Sequence, residues 1–146
     1  MIGLIQRTRS ASVDIDGERV AETGAGMLVL VGFRRDDDEQ RQDRFVTRLL
    51  NYRLFPDEAG RMNRSLRDVG GELLMVPQFT LAADTDSGNR PSFTPAAPPE
   101  LGQKLFDALE KRVQRAWPQS AFGVFGADMQ VGLINDGPVT FWIEVG

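Results

Sequence analysis

The strongest candidate for chemistry is a short run of polar and aromatic side chains that follows an apolar segment. Residues 73–76, Leu-Leu-Met-Val, form a continuous apolar run that is typical of a buried strand. Pro77 has no N–H group to donate, so regular pairing should end there. Residues 78–80, Gln-Phe-Thr, follow, and the composition then turns polar over residues 84–91. A buried strand that opens into a polar loop is a common place for a functional site, because the scaffold holds such residues rigidly.

Each of these three residues has a structural interpretation beside a chemical one. Thr80 is a candidate nucleophile, but a threonine hydroxyl reacts only beside a base, and a lone threonine after a strand usually has no catalytic role. Gln78 is either a buried amide that satisfies backbone groups or a donor that orients a ligand. Backbone N–H groups around Phe79 and Thr80 are candidates for polarising a carbonyl group, because Pro77 ends regular pairing. We therefore expect Thr80 to shape a pocket and not to be an obligatory nucleophile.

The composition excludes several mechanisms. The 146 residues contain no histidine and no cysteine, so a Ser-His-Asp triad, a cysteine nucleophile and a histidine-ligated zinc site are impossible. Acid–base chemistry would then fall to carboxylates, Tyr52, the two lysines, water or the substrate. No apolar run approaches the roughly 18 residues that span a membrane, and no signal peptide is apparent. We expect a cytoplasmic protein with no disulfide framework.

The charge pattern bears on possible partners. The net charge of −4 argues against a general nucleic-acid binder. However, most of the basic residues are arginine, which suits bidentate contact with phosphate, and several lie between Arg34 and Arg67. A solvated face of mixed charge is the simpler interpretation of these arginines. A local phosphate-contacting patch stays open as the alternative.

The hydrophobic periodicity predicts a single α+β domain over residues 1–146. A helix should begin at a capping box formed by Asp36 and Glu39 and end near Arg53, and a second should run from Pro99 to just before Pro118. Besides the run at 73–76, strands are predicted at residues 11–15, 18–22, 27–33, 122–125, 129–134 and 139–145. We therefore predict a mainly antiparallel, barrel-like curled sheet that is covered by two main helices.

A second polar motif lies near the C-terminus, at residues 135–140 (Asn-Asp-Gly-Pro-Val-Thr). Asn-Asp-Gly-Pro is typical of a turn between two strands. Alternatively, the Gly137–Pro138 bond is cis, a state that a folded protein retains only with structural support. Spacing alone favours the plain turn.

Taken together, the two motifs resemble the signatures of the D-aminoacyl-tRNA deacylase family. The Gln-Phe-Thr-Leu block at residues 78–81 and the Asn-x-Gly-Pro-Val-Thr block at residues 135–140 stand where that family has them. The resemblance runs nearly end to end, from the opening QR and ASV through NYRLFPDEAGRMNRSL to GVFGADMQVG. Pro77 replaces the family's serine, as in related animal tRNA deacylases, but those also change the phenylalanine that is kept here as Phe79.

The resemblance implies a homodimer that hydrolyses the ester between a D-amino acid and the 3′-terminal adenosine of tRNA, with mischarged glycine as a further substrate. Gln78, Phe79 and Thr80 would hold the ester. The Gly137–Pro138 pair would be cis and would enter the partner subunit's pocket, where it rejects L-amino acids.

The resemblance also implies that Phe125 and Met129 line the adenosine end of the pocket. No metal and no cofactor are expected, and the terminal ribose hydroxyl would assist the reaction. A non-enzymatic nucleic-acid-binding dimer is the alternative, because some eukaryotic relatives are linked to DNA replication origins. A module that binds a small metabolite has no positive support in the sequence.

Overall fold

The computed structural model describes residues 1–146, which form one six-stranded sheet, a small two-stranded sheet and helices. The strands are β1 (Ile2–Ile15), β2 (Glu18–Thr23), β3 (Gly26–Gly32), β4 (Phe55–Pro56), β5 (Met62–Arg64), β6 (Glu72–Pro77), β7 (Ser120–Phe122) and β8 (Gln130–Glu144). The helices are α1 (Glu39–Asn51), the short α2 (Leu66–Val69) and α3 (Pro99–Ala116), with a 3₁₀ turn over Phe79–Ala82. No helix is both long and apolar enough to cross a membrane.

The sheet is arranged around the long strand β1. One edge of β1 pairs with β3 near its start and with β2 near its end, and its other edge pairs with β8. These pairings are antiparallel, whereas β3–β6 and β6–β7 are parallel. The predicted α+β, barrel-like fold is confirmed, but the sheet is mixed because β6 and β7 each follow a long crossover that contains a helix.

Both faces of the sheet are apolar, which explains why it curls. On the inner face, side chains from all six strands form one cluster, whose members include Val13, Ala21, Leu28, Val76, Ala121 and Val131. On the outer face, α1 and α3 pack Phe45, Leu49, Phe106 and Leu109 against the sheet. The inner cluster needs contributions from every strand, so the sheet closes on itself like a barrel.

The segment before α1 differs from the predicted capping box. Asp38, not Asp36, is the N-cap, and its side chain accepts a hydrogen bond from the N–H of Arg41. Asp36 instead pairs with the Arg41 guanidinium at 2.9 Å, and this hydrogen bond lowers the pKa of the Asp36 carboxyl. Asp37 lies fully buried, where it accepts from the Met1 ammonium group at 2.8 Å.

Three other sequence predictions need correction. The strand predicted at 11–15 begins at Ile2, and the strand predicted at 122–125 is Ser120–Phe122. The strands predicted at 129–134 and 139–145 are one continuous strand, β8, so the motif at 135–140 is not a turn between two strands. In each case pairing with distant residues of β1 or β6 decides the structure, and local composition does not report such pairing.

Candidate active site

A cavity of about 620 Å³ opens where β6 ends. Its floor is formed by Pro77, Gln78 and Phe79, and its walls come from residues 93–99 and 125–131. Most of the lining is apolar, and Arg35 is the only charged residue that lines it. Such a recess, apolar with few polar groups, is typical of a small-ligand or nucleoside site.

Two of the three predicted catalytic residues, Gln78 and Phe79, line this cavity, and Thr80 follows them in the 3₁₀ turn without lining it. Pro77 is the last residue of β6 and pairs with Val31, and the N–H of Gln78 donates to the Val31 carbonyl at 2.7 Å. Gln78 Nε2 donates to Thr80 Oγ1, so the amide holds the hydroxyl in place. No carboxylate or amine contacts Thr80, and its hydroxyl therefore has no base that would activate it.

The 3₁₀ turn leaves two backbone donors available. Its first hydrogen bond is donated by the N–H of Leu81 to the Gln78 carbonyl. The N–H groups of Phe79 and Thr80 precede that bond and have no acceptor within the turn, as at the start of any helix. Both residues are exposed. This arrangement can bind a carbonyl oxygen and stabilise the negative charge that develops on it during attack.

The outer wall of the cavity is tied to the body of the protein by hydrogen bonds. Asp84 and Ser92 exchange backbone hydrogen bonds at 2.8 and 2.9 Å, which closes the loop between them. Farther along, Ala97 N–H donates to the Phe33 carbonyl at 2.9 Å. Phe93 then lies over Phe79, with ring centroids 5.1 Å apart. Both rings are about half exposed, at 42% and 54%, and they form the mouth of the cavity, whereas the backbone of Phe79 belongs to its floor.

The far end of the cavity contains the two residues that the resemblance assigns to adenosine. Phe125 and Met129 both line it. Phe125 lies 6.3 Å from the buried Phe106 ring, and Gly102 of α3 leaves room for it, since a Cβ there would be 2.9 Å from the Phe125 ring. The sulfur of Met129 accepts a weak hydrogen bond from the N–H of Val124 at 3.4 Å. A flat aromatic ring beside a polarisable sulfur suits a purine base.

The other candidate acid–base groups lie outside the cavity. Tyr52 packs edge-on against Phe141 at 5.4 Å, on the helix-covered side of the sheet. Lys104 and Lys111 are exposed on α3. No aspartate, glutamate, lysine or tyrosine lines the cavity. No cluster of three or more Asp, Glu, His or Cys side chains that could hold a metal is present. A side-chain base is therefore missing from the place where the ester would be bound.

Gly137 and Pro138 lie in a bulge of β8 and are exposed. Gln6 of β1 pairs with Thr140 and Thr8 pairs with Asn135, so the four residues 136–139 lie opposite the single residue Arg7. The Gly137–Pro138 peptide is cis. Neither residue lines the cavity of its own chain. The structure thus brings Gln78, Phe79, Phe125 and Met129 together but leaves the Gly-Pro pair apart from them.

Two side chains hold this bulge in shape. Arg7 Nε donates to the Asp136 carbonyl at 2.9 Å while its Nη1 donates to the Leu54 carbonyl at 2.8 Å. Asn135 Nδ2 donates to the carbonyls of Val139 and Arg7, and Asn135 Oδ1 accepts from the N–H of Val139. Gly137 is required by space, because a Cβ there would be 2.3 Å from the Val139 nitrogen. The bulge is therefore rigid although its tip is exposed.

Sequence reasoning missed Arg7, Arg35 and Phe93 as members of these two regions. All three come from segments remote from the motifs that they support. The one available signal was the density of arginines after residue 33, which does not single out Arg35.

Comparisons of the sequence with known proteins agree on one family. Residues 4–144 match the family model described as D-Tyr-tRNA(Tyr) deacylase. The D-aminoacyl-tRNA deacylase of Alkalilimnicola ehrlichii is 60% identical over 144 residues, covering 99% of this chain and 96% of that protein. The protein of the same name from Stutzerimonas stutzeri is 58% identical over 144 residues, covering 99% of each chain.

Solved structures with the same fold are also similar over the whole chain. A structure named c-Myc DNA Unwinding Element Binding Protein has a TM-score of 0.95 and 35% identity, with coverage of 100% of this chain and 99% of that one. A probable eukaryotic D-amino acid tRNA deacylase has a TM-score of 0.83 and 17% identity, with coverage of 97% and 98%. The second likeness concerns the fold alone.

Proposed function

The chain belongs to the D-aminoacyl-tRNA deacylase family, and from this premise we propose how its cavity performs the reaction of that class. The enzyme is a hydrolase that acts on the ester bond of D-aminoacyl-tRNA, releasing tRNA and the free amino acid. The observation that carries the mechanistic proposal is the pair of N–H groups at Phe79 and Thr80 that have no acceptor in their turn, directly after the cavity-lining residue Gln78.

The proposed site binds the ester with backbone, not with a side-chain nucleophile. The carbonyl oxygen accepts hydrogen bonds from the N–H groups of Phe79 and Thr80, which stabilise it as it becomes negative. Water adds to the carbonyl carbon, the bond to the ribose oxygen breaks, and the leaving oxygen takes a proton. Gln78 holds Thr80 so that this floor keeps its shape. Thr80 shapes the pocket and forms no acyl intermediate.

The proton that water loses must go to the substrate or to solvent. No ionisable side chain other than Arg35 lines the cavity, and an arginine stays protonated. The neighbouring hydroxyl of the terminal ribose is the group that the family resemblance suggests for this step. This hydroxyl is on the ribose carbon next to the carbon that carries the ester, and it enters with the substrate. Its position supports a role in orienting the water. Phe125 and Met129 bind the adenine ring beside it.

Rejection of L-amino acids is proposed to come from the backbone bulge of a second subunit in a homodimer. Gly137 and Pro138 are exposed and lie outside their own cavity, so only another copy can present them to it. In a two-fold dimer each chain supplies its Gly-Pro pair to the other. Strand β8 also exposes Ile134 at 58% and Trp142 at 51%, which an interface would cover.

This arrangement also accounts for mischarged glycine as a proposed substrate. A backbone wall excludes an L side chain by occupying the space where its Cβ would project. Glycine has no Cβ and therefore passes the wall. Because charged tRNA is the substrate, we also propose that the enzyme works in the cytoplasm, where that substrate is used.

A non-enzymatic nucleic-acid-binding dimer is the second candidate, favoured by the name of the similar structure at 35% identity, c-Myc DNA Unwinding Element Binding Protein. Against it stand the net charge of −4 and the recessed apolar cavity, which duplex binding would not need. The deacylase relatives are also far more similar in sequence, at 60% and 58%.

The test is ester loss from D-tyrosyl-tRNA and L-tyrosyl-tRNA, with oligomeric state measured by light scattering. We expect a dimer that turns over only the D ester, and a slower but present turnover of glycyl-tRNA. A protein that hydrolyses neither ester would overturn the mechanism. A monomer that still rejects the L ester would overturn the proposal that a second subunit supplies the rejecting Gly137–Pro138 pair, but it would not overturn the proposed reaction.

A further inference from the structure

Arg35 differs from the arginines around it because no carboxylate neutralises it. Arg34 pairs with Glu144, and Arg41 pairs with Asp36 and Asp37. Asp36, the acid next to Arg35 in sequence, is therefore already engaged. Arg35 Nε donates to the Thr94 carbonyl at 2.6 Å, and neither Nη1 nor Nη2 has a hydrogen-bond or ion-pair partner. The side chain is exposed and lines the cavity.

The contact with Thr94 fixes the direction of the guanidinium group. Thr94 follows Phe93 at the mouth, and Arg34 forms a β-bridge with Ala96 two residues later. With Nε held by this wall, the two Nη groups form a fork of free donors at the edge of an apolar recess. Such a fork matches two oxygens of one phosphate.

The charge of the proposed substrate identifies what this fork binds. An aminoacylated terminal adenosine has a neutral base, a neutral ester and a positively charged α-amino group. Its one anionic group is the phosphodiester that links its 5′ oxygen to the preceding nucleotide. A cavity whose single lining charge is an arginine matches that pattern.

We propose that Arg35 binds the phosphodiester on the 5′ side of the terminal adenosine, and so distinguishes a polynucleotide end from a free aminoacyl-nucleoside. This inference rests on the proposed function, because it assumes that the cavity holds the terminal nucleoside. It adds a polar anchor at the mouth to the apolar contacts of Phe125 and Met129. The anchor orients the ester toward the N–H groups of Phe79 and Thr80 without taking part in bond breaking.

The kinetic experiment compares three D-tyrosyl esters: on adenosine, on the dinucleotide CpA, and on tRNA. Wild type should have a higher kcat/KM for the CpA ester than for the adenosine ester. Arg35→Gln should lower kcat/KM for the CpA and tRNA esters by about ten- to a hundredfold, the range expected for loss of a hydrogen bond to a charged group. On the adenosine ester it should change little. Arg35→Lys should recover part of the loss, because it keeps the charge but not the fork.

The matched control is Arg115→Gln, an exposed arginine at the end of α3 that has no hydrogen-bond or ion-pair partner and lies outside the cavity. It changes the net charge equally and should leave all three rates as in wild type. The slope of log KM against log salt for the tRNA ester should also fall by about 0.7 in Arg35→Gln, the value for one single-strand phosphate, and not in Arg115→Gln.

Equilibrium binding separates this inference from the reaction. Wild type should bind adenosine 5′-monophosphate more tightly than adenosine, and Arg35→Gln should bind the two alike. Equal loss on the adenosine and CpA esters would overturn the phosphate contact and assign Arg35 only to the wall. Equal affinity of wild type for adenosine and for adenosine 5′-monophosphate would overturn it as well. If wild type hydrolysed none of the esters but bound the monophosphate preferentially, the reaction would fail and the phosphate contact would stand.

Discussion

The cavity at the end of β6 and the bulge of β8 both offer backbone to a substrate, but their polar groups are arranged in opposite ways. In the 3₁₀ turn beside the cavity, the N–H groups of Phe79 and Thr80 have no acceptor within the turn. In the bulge, the Arg7 side chain donates a hydrogen bond to the Asp136 carbonyl, and the Asn135 side chain bonds both the carbonyl and the N–H of Val139. The first region has backbone donors available for a ligand, whereas the backbone groups of the second already have hydrogen-bond partners.

The difference indicates a division of labour. Free donors can stabilise charge that appears only during the reaction, so they belong where the ester is bound. A saturated loop has little left to offer a ligand, but it keeps its shape under contact, so it belongs where an unwanted substrate must be refused. Changes in the bulge should therefore affect selection, and changes in the cavity should affect binding and rate.

The largest effect should follow removal of the side chain that saturates the bulge. Asn135→Ala leaves three backbone groups without partners, and each such group costs about 1–3 kcal/mol when buried. A displacement of the wall by about 1 Å should raise kcat/KM for L-tyrosyl-tRNA on the order of a hundredfold, with little change for D-tyrosyl-tRNA, because the wall acts only by excluding the L side chain. The ratio of D to L turnover should fall accordingly.

The control for this change is Asn51→Ala, whose amide donates only to the Thr47 carbonyl at the exposed end of α1. It should leave rate and chirality unchanged. If Asn135→Ala lost stability in urea but kept its full preference for the D ester, the bulge would not be the selecting element.

A smaller effect is expected at the far end of the cavity. Phe125→Ala should raise KM about tenfold with little change in kcat, because base–aromatic stacking contributes about 1–3 kcal/mol. Val124→Ala, at an adjacent exposed residue outside the lining, should behave as wild type. The measurement is steady-state kinetics on D-tyrosyl-tRNA. A fall in kcat at constant KM would place the base elsewhere.

Thr80→Ala tests whether the cavity floor acts through backbone alone. The N–H of residue 80 is kept and only the Gln78–Thr80 hydrogen bond is lost, so we expect less than about a tenfold decrease in kcat/KM. The rate of ester loss and mass spectrometry of the quenched reaction provide the measurement. An acyl group trapped on Thr80 in wild type, or a folded variant without any turnover, would refute the backbone mechanism.

Pro77→Ser should have a still smaller effect on rate. Pro77 ends β6 and lines the cavity, and wild type lacks a hydroxyl there, so a serine hydroxyl cannot be essential. We expect kcat/KM within about threefold, of the order found for tolerated changes of local packing, together with an altered range of D-amino acids. An inert wild type and an active Pro77→Ser variant would mean that this chain has lost the activity.

Asp68, remote from both regions, should affect only stability. It caps α2, and its carboxylate accepts from the N–H of Ser65 at 2.8 Å, which together with the Ser65 hydroxyl lowers its pKa. Its contribution is present above the ordinary aspartate pKa of about 4 and is lost as pH falls through the lower folded value. The Tm of Asp68→Asn should therefore lie below wild type at neutral pH and converge with it in acid, while activity at neutral pH stays the same. Asp128→Asn, at an exposed residue without a hydrogen-bond partner, is the control.

The parts of the fold that could be predicted are those that local pattern determines. The stripes of α1 and α3 appear at helical spacing because each helix buries one face on the same sheet. The run at residues 73–76 is apolar throughout because β6 is covered on both sides. The position of Gln78 and Phe79 at the cavity followed from that strand and from Pro77.

The parts that could not be predicted depend on residues far apart in the chain. The motif at 135–140 has the composition of a turn, yet Arg7, about 130 residues earlier, and the pairing with β1 keep it within one strand. The cavity wall likewise depends on contacts between residues 33–35 and 94–97. No local preference of either segment reveals that they meet.

The hydrogen bonds that hold the cavity wall in place have a consequence for the time course of binding. Because residues 92–97, which include cavity-lining residues of this wall, are already fixed by backbone hydrogen bonds and by Arg35, a ligand need not order them, and the entropic cost of immobilising them is absent. Encounter should then be a single step, with an observed rate that rises linearly with ligand concentration and shows no slower unimolecular phase. Unoccupied and occupied cavities would differ in side-chain rotamers and not in the path of the chain.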